Sequence, residues 1–330
     1  MATKLLRLAL AGVLVAGVAV AGARAETFPS KPFRFIVPFP AGGATDAAAR
    51  AMQPQLEKLF GQTVVIENRA GAGAVIGLDA IAKSAPDGYT FGIGPAGALS
   101  VNTAMQVKMP FDVRKDLTPI SGLCETPFIL AAAANYPANT LQEVIAQAKA
   151  KPGTLTIGHG GNGTSMFYAA LLFTTMADVK AGFVPYRGTV LVANDLIGGH
   201  IGLGIVDPPP SQAALLDGRI KGIAISSKRR ARFFPNIPTF DEQGLKGYEV
   251  GGWFGLVGPA GIPPDVLAKL NAAMVTALKD PEVVQRIHDI GMEPQPMTPS
   301  EFGAHIDREI DKITKVLAQA GDVPKDEPAK

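Results

Sequence analysis

Residues Phe33–Arg50 read FRFIVPFPAGGATDAAAR. The first seven, dense in aromatic and β-branched residues, predict a strand over Phe33–Phe39. Pro-Ala-Gly-Gly then breaks it, and Thr45-Asp46 opens a helix predicted over Asp46–Phe60 and ended by Gly61. A strand that feeds a helix through a glycine loop is a βα unit. At the helix start, backbone N–H groups without intrahelical partners attract an anion, and glycine lets a ligand approach them.

The pattern repeats along the chain. Thr63–Asn68 and Tyr89–Gly94 read as strands, with GAGAVIG (Gly71–Gly77) leading into a helix that ends near Ser84. Gly122–Ala134 reads as one long strand, or as two through a bend at Pro127. A second series follows: helix Leu141–Lys151, strand Leu155–Gly158, helix Ser165–Ala177, strand Gly182–Pro185, helix Thr189–Ile197, then strands Ile201–Val206 and Ile220–Ser226. Tyr248–Gly261 is strand-like, and helices are predicted over Pro264–Lys279, Pro281–Ile290 and Pro299–Gln319. Alternation of this kind predicts an α/β protein with mostly parallel sheets. Two series joined by two extended passages imply two lobes, 26–125 with 250–330 and 126–249. Their strand-to-helix loops face one cleft.

Bulk properties narrow the function. Lys4 and Arg7, an apolar run from Leu8 to Gly22, and Ala23-Arg24-Ala25 read as a secretory signal peptide over 1–25 cleaved near Ala25, which implies export to a bacterial periplasm. Removing it takes away three cations and no acids, so 31 basic against 29 acidic residues becomes 28 against 29. That balance offers nothing to nucleic acid. The basic cluster Ser226–Phe234 (SSKRRARFF) reads as a solvated helix end. A lone Cys124 makes no intramolecular disulfide, and the four histidines, His159, His200, His288 and His305, include no pair at metal-ligand spacing. No metal and no cofactor are expected.

Two loops carry the candidate site. In the first, Phe39, Pro40, Ala41, Gly42 and Gly43 lead to Thr45 and Asp46; Asp46 is either the helix N-cap or a cleft residue. In the second, GHGGNGTSMF (Gly158–Phe167), His159, Gly160, Asn162 and Gly163 precede Thr164 and Ser165, which can cap the next helix and also donate to a ligand oxygen. Two such loops facing each other clamp a molecule bearing carboxylates. Asp207, at the end of IGLGIVD, either accepts from a ligand group or caps the following turn. Arg187 in VPYRG is either a cation near the second loop or a surface residue. His159-Gly160-Gly161 has the look of an esterase oxyanion loop, but the chain contains no G-x-S-x-G nucleophile elbow. GAGAVIG has G-x-G-x-x-x-G spacing, and no acidic residue ends the next strand, so it is a weak dinucleotide signature. It reads instead as helix packing or cleft lining.

FPSKPFRFIVPFPAGGATD, IENRAGAGAVIG, APDGYT, GNGTS, VPYRG, the strand ending in Asp207, IPTFDEQG and WFGLVGPAG occur in this order from about Phe28 to the last helix. As a set they resemble the Bug family, the periplasmic solute receptors of tripartite tricarboxylate transporters. The resemblance implies a two-lobed, type II periplasmic binding protein fold and a monomer that is not an enzyme. It also implies a carboxylate held by backbone amides and water from Phe39–Asp46 and His159–Ser165, and delivery to two integral-membrane permease subunits. Docking on a sensor kinase is the alternative role. The chain departs from many members at His159, Gly160 and Phe167, which implies a pocket more apolar at one end and titratable at another.

Overall fold

A computed structural model describes residues 28–320. The signal-peptide reading over 1–25 and the tail after Gly321 lie outside the described residues. The strand β1 (Phe33–Val37) runs parallel to both β2 (Val64–Asn68) and β3 (Thr90–Pro95). β4 (Leu117–Pro127) leads through Phe128 directly into β5 (Ile129–Ala133), which belongs to the other sheet. The second series places β6 (Leu155–His159) between β7 (Ala181–Pro185) and β8 (Leu203–Val206), both parallel to it, and adds β9 (Ile220–Ile225) beyond β5. β10 (Gly251–Pro259) returns the chain to the first sheet, and the short β11 (Glu293–Pro294) extends its edge.

The six-stranded sheet has the order β11-β4-β10-β3-β1-β2 and the five-stranded sheet β7-β6-β8-β5-β9. In the first, β1, β2, β3 and β4 share one direction and β10 and β11 oppose it; in the second only β5 opposes the rest. Direction is therefore mostly parallel, as the alternating pattern predicts. The main reversals are β5 and β10, the strands by which the chain enters each sheet from the other. In both sheets the first strand of a parallel series lies between the second and the third, so β1 and β6 occupy equivalent places.

Helices cover the sheets: α1 (Ala44–Phe60), α2 (Val75–Ala82), α3 (Leu141–Ala150), α4 (Ser165–Met176), α5 (Thr189–Ile197), α6 (Pro208–Leu216), α7 (Pro264–Lys279), α8 (Pro281–Asp289) and α9 (Pro299–Ala320). Ile36, Leu78, Ile81, Leu99 and Trp253 form part of one buried cluster, and Leu130, Ile157, Phe173, Phe240 and Tyr248 part of another. α9 enters both. Its Phe302, Ile306 and Ile310 pack in the first cluster, and Ile313 one turn on packs in the second.

Four local differences from the sequence reading have physical causes. α1 starts at Ala44, two residues early, because Gly43 takes the extended N-cap conformation. α6 lies where the sequence reading has no element; Pro208-Pro209-Pro210 can open it because proline is tolerated in a helix's first turn, where its missing N–H has no intrahelical partner. The turn Gly97–Val101 is a π-helix, which no periodicity signals. The basic stretch Ser226–Phe234 is turn and loop, not a helix end, and three of its four cations are paired: Lys228 with Glu249, Arg230 with Glu242, and Arg232 with Glu293. Cys124 is fully buried against Met292, and burial raises its thiol pKa well above the usual range.

Candidate functional site

The equivalent strands β1 and β6 both end in glycine-bearing loops, and both loops reach one cavity of about 260 Å³. Phe39, Pro40, Ala41, Gly43, Ala44 and Thr45 line it from the first sheet. Gly160, Thr164 and Met166 line it from the second, joined by Arg187, Gly188, Thr189, Val190 and Leu191 after β7, Asp207 after β8, and Phe254 from β10. Three helices, α1, α4 and α5, therefore present their first turns to one space. The unpartnered N–H groups and positive dipole ends of such turns favour an anion. The walls between them are mostly carbon.

Of the fourteen residues predicted, Phe39, Pro40, Ala41, Gly43, Thr45, Gly160, Thr164 and Asp207 line this cavity. Thr45 is buried and its Oγ1 has no hydrogen-bond partner within the protein, so a ligand oxygen can engage it. Thr164 is the N-cap of α4: its Oγ1 accepts from Phe167 N at 3.3 Å and donates to Gly161 O at 2.6 Å. Its hydroxyl hydrogen is thus committed to its own loop.

The others are not part of its lining. Asp46 is not the cap of α1; it sits three residues inside, where its Oδ2 accepts from Gly42 N at 2.9 Å and Arg50 Nε at 2.8 Å. Its Oδ1 accepts from Asn68 Nδ2, which also donates to Phe39 O, both at 3.0 Å. Burial alone would raise this carboxyl's pKa, but the bonds from Arg50, Gly42 and Asn68 outweigh it and hold the group below the usual carboxylate range. Asp46 and Asn68 thereby fix the loop, and the Gly42 N–H is consumed in doing so. Asn162 and Gly163 pack across the interface between the sheets: a Cβ on Gly73 would lie 2.5 Å from Asn162 O, and one on Gly163 would lie 2.1 Å from Asn102 Oδ1. GAGAVIG lines this seam. Ser165 faces a second cavity of about 30 Å³, shared with Gly97 and Trp253.

His159 is fully buried between Phe167 and Phe183, with ring centroids 5.0 and 6.3 Å away. Gly161 N donates to its Nδ1 at 3.3 Å. Burial lowers its pKa to about 4, so the ring is neutral near pH 7. The titratable end implied for the pocket is therefore not His159. It is Asp207, 1% exposed, whose pKa burial pushes up to about 6 against the opposing bond from Thr189.

Sequence reasoning missed Met166, Gly188, Thr189, Val190, Leu191 and Phe254. A signal existed for the middle four. VPYRGTVLV repeats the strand, glycine, hydroxyl, helix order of the first two loops. Phe254 had none, since it stands in a strand and reaches the cavity only through the pairing of β10 with β3. Arg187 is exposed and lines the cavity as well, so the two readings of it were not exclusive. Among the described residues no group of three or more His, Cys, Asp or Glu is placed to hold a metal ion.

Two α/β sheets with one ligand-sized cavity between their strand-to-helix loops define a two-sheet periplasmic-binding-protein fold. The profile described as "Tripartite tricarboxylate transporter family receptor" matches residues 48–321, and the chain belongs to that family. It is a family of binding receptors and not of enzymes. The chain is 34% identical to Protein BugT of Bordetella pertussis over 316 residues, 95% of this chain and 97% of that protein. Two Rhodopseudomonas palustris structures are similar throughout. Rpa4515 with adipate has a TM-score of 0.85 at 31% identity, covering 89% of this chain and 98% of that one. MatC with bound malate has a TM-score of 0.83 at 32% identity, covering 88% and 100%. Among the described residues no helix is long and apolar enough to cross a membrane.

Proposed function

We propose that this protein is an exported receptor that binds a small carboxylate in the cavity between its sheets and delivers it to a permease of two integral-membrane subunits. The observation that carries this reading is the convergence of three helix N-terminal turns on one largely apolar cavity. Backbone amides stabilise a carboxylate there without a buried cation. Adipate and malate in the two similar structures are both small dicarboxylates. Within this reading the lobes are 26–125 with 250–330 and 126–249, the molecule works as a monomer in the periplasm, and binding draws the lobes together about the passages at Phe128 and Gly251.

The test is a thermal-shift screen of ligand-stripped protein against aliphatic di- and tricarboxylates and aromatic carboxylates. Saturation at a hundred times Kd adds about 2.7 kcal/mol, or about 4 °C for a chain of this size. A shift confined to one carboxylate class supports the reading. Indifference to the whole panel, with a folded protein, refutes it.

A further inference from the structure

Asp207 is the N-cap residue of α6, with extended backbone at φ −107° and ψ 162°, yet its side chain makes no capping bond. The cause is in the sequence. An N-cap carboxylate accepts from the N–H of the second or third helical residue, and here the first three are Pro208, Pro209 and Pro210, which have none. The helix start that would ordinarily satisfy Asp207 has been stripped of donors.

What remains is one protein side chain and the residue's own backbone amide. Thr189 Oγ1 donates to Asp207 Oδ1 at 2.8 Å, and among the described residues no Lys, Arg or His forms an ion pair with Asp207. Arg187 lines the same cavity without reaching it. A buried carboxyl on a cavity wall, held in place by a threonine and denied its own helix, is an acceptor facing the ligand space. A plain carboxylate placed against it meets a like charge, whereas an ammonium or hydroxyl group meets a partner.

Resting on the carboxylate reading of this site, we propose that Asp207 selects ligands that carry a hydrogen-bond donor as well as a carboxylate. The carboxylate lies at the amide-lined first turns of α1 and α4 and the donor at Asp207. Thr189 is a positioning residue that fixes the carboxyl's rotamer.

The test is calorimetric titration of ligand-stripped wild type with matched pairs that differ by one donor: succinate against aspartate, succinate against malate, and adipate against 2-aminoadipate. The expected result is that in at least one pair the donor-bearing member binds about ten- to a hundredfold more tightly, and that Asp207→Asn removes most of the difference. The aspartate and 2-aminoadipate arms report an ammonium donor and the malate arm a hydroxyl. Pro209→Ala combined with Pro210→Ala returns two amides to the helix start, lets Asp207 cap it, and narrows the same difference while raising thermal stability. Equal or tighter binding of the plain members, unchanged in Asp207→Asn, overturns the inference and leaves the carboxylate reading standing. So does plain-dicarboxylate binding that strengthens about tenfold on acidification and loses that dependence in Asp207→Asn, since it indicates a shared proton. Silence of the wild type to every pair overturns the carboxylate reading and this inference with it.

Discussion

Asp46 and Gly42 are joined backwards across the first turn of α1: the carboxylate Oδ2 accepts the Gly42 amide hydrogen at 2.9 Å. The bond folds the loop back over the helix start, and Asn68 braces it from β2. Asp46→Ala therefore leaves Gly42 N and Asn68 Nδ2 short of an acceptor and frees the loop. The expected cost is about 1–3 kcal/mol in denaturant unfolding, with a larger proportional loss of ligand affinity by calorimetry. Asp46→Asn keeps acceptor geometry on one side and should fall between. Equal affinity in all three proteins would remove Asp46 from the site's support.

The seam between the sheets is glycine-lined. A Cβ on Gly97 would lie 2.8 Å from Gly163 O and 2.9 Å from Ser165 N, both backbone atoms that have little room to yield. Gly97→Ala should separate the loops, at about 1–3 kcal/mol of interface energy, weakening binding roughly ten- to a hundredfold. The loss should be in the dissociation rate, read by stopped flow. Scattering of the liganded variant should show a larger radius than wild type.

Asp207 and His159 oppose each other in pH dependence. Asp207's folded pKa is raised to about 6, so its contribution is fully present below the unfolded value near 3.9 and is lost as pH rises through 6. His159's is lowered to about 4, so its contribution is present above the unfolded value near 6.5 and is lost as pH falls towards 4. Each is worth about 3 kcal/mol at most, and between about pH 4 and 6 they largely offset. Urea unfolding at about pH 5 and 7.5 should then show Asp207→Asn losing stability on acidification relative to wild type and His159→Gln gaining it. Parallel pH profiles for all three proteins would contradict both assignments.

α9 ties the two cores. Ile310 packs with the first buried cluster and Ile313 with the second, and both are nearly inaccessible. Ile313→Ala should cost about 2–5 kcal/mol, as buried truncations do. Because that contact is made by a helix held mainly in the other core, the variant should also weaken ligand binding. A stability loss with unchanged affinity would show that α9 does not couple the two cores to the cavity.

Much of this molecule was decided locally. Phe33–Phe39, the glycines after it and the capping residues Thr140, Thr164 and Asp280 specify strands, turns and helix starts through conformations that depend on near neighbours alone. For the same reason the two loops and most of the cavity-lining residues in them were legible in the sequence. The direction a side chain takes from its loop was not. Asp46 turns inward because Asn68, a strand away, and Arg50 offer it donors, and His159 turns into Phe167 and Phe183 because that pocket of aromatic surface exists only once β6, β7 and α4 have packed. Phe254 reaches the cavity, and Gly73 meets Asn162, through contacts between segments distant in sequence, which no local pattern encodes. Asp207 shows both halves. Its three following prolines, written in the sequence, deny it a cap, and only the tertiary structure gives the freed carboxyl Thr189 on one side and the ligand cavity on the other.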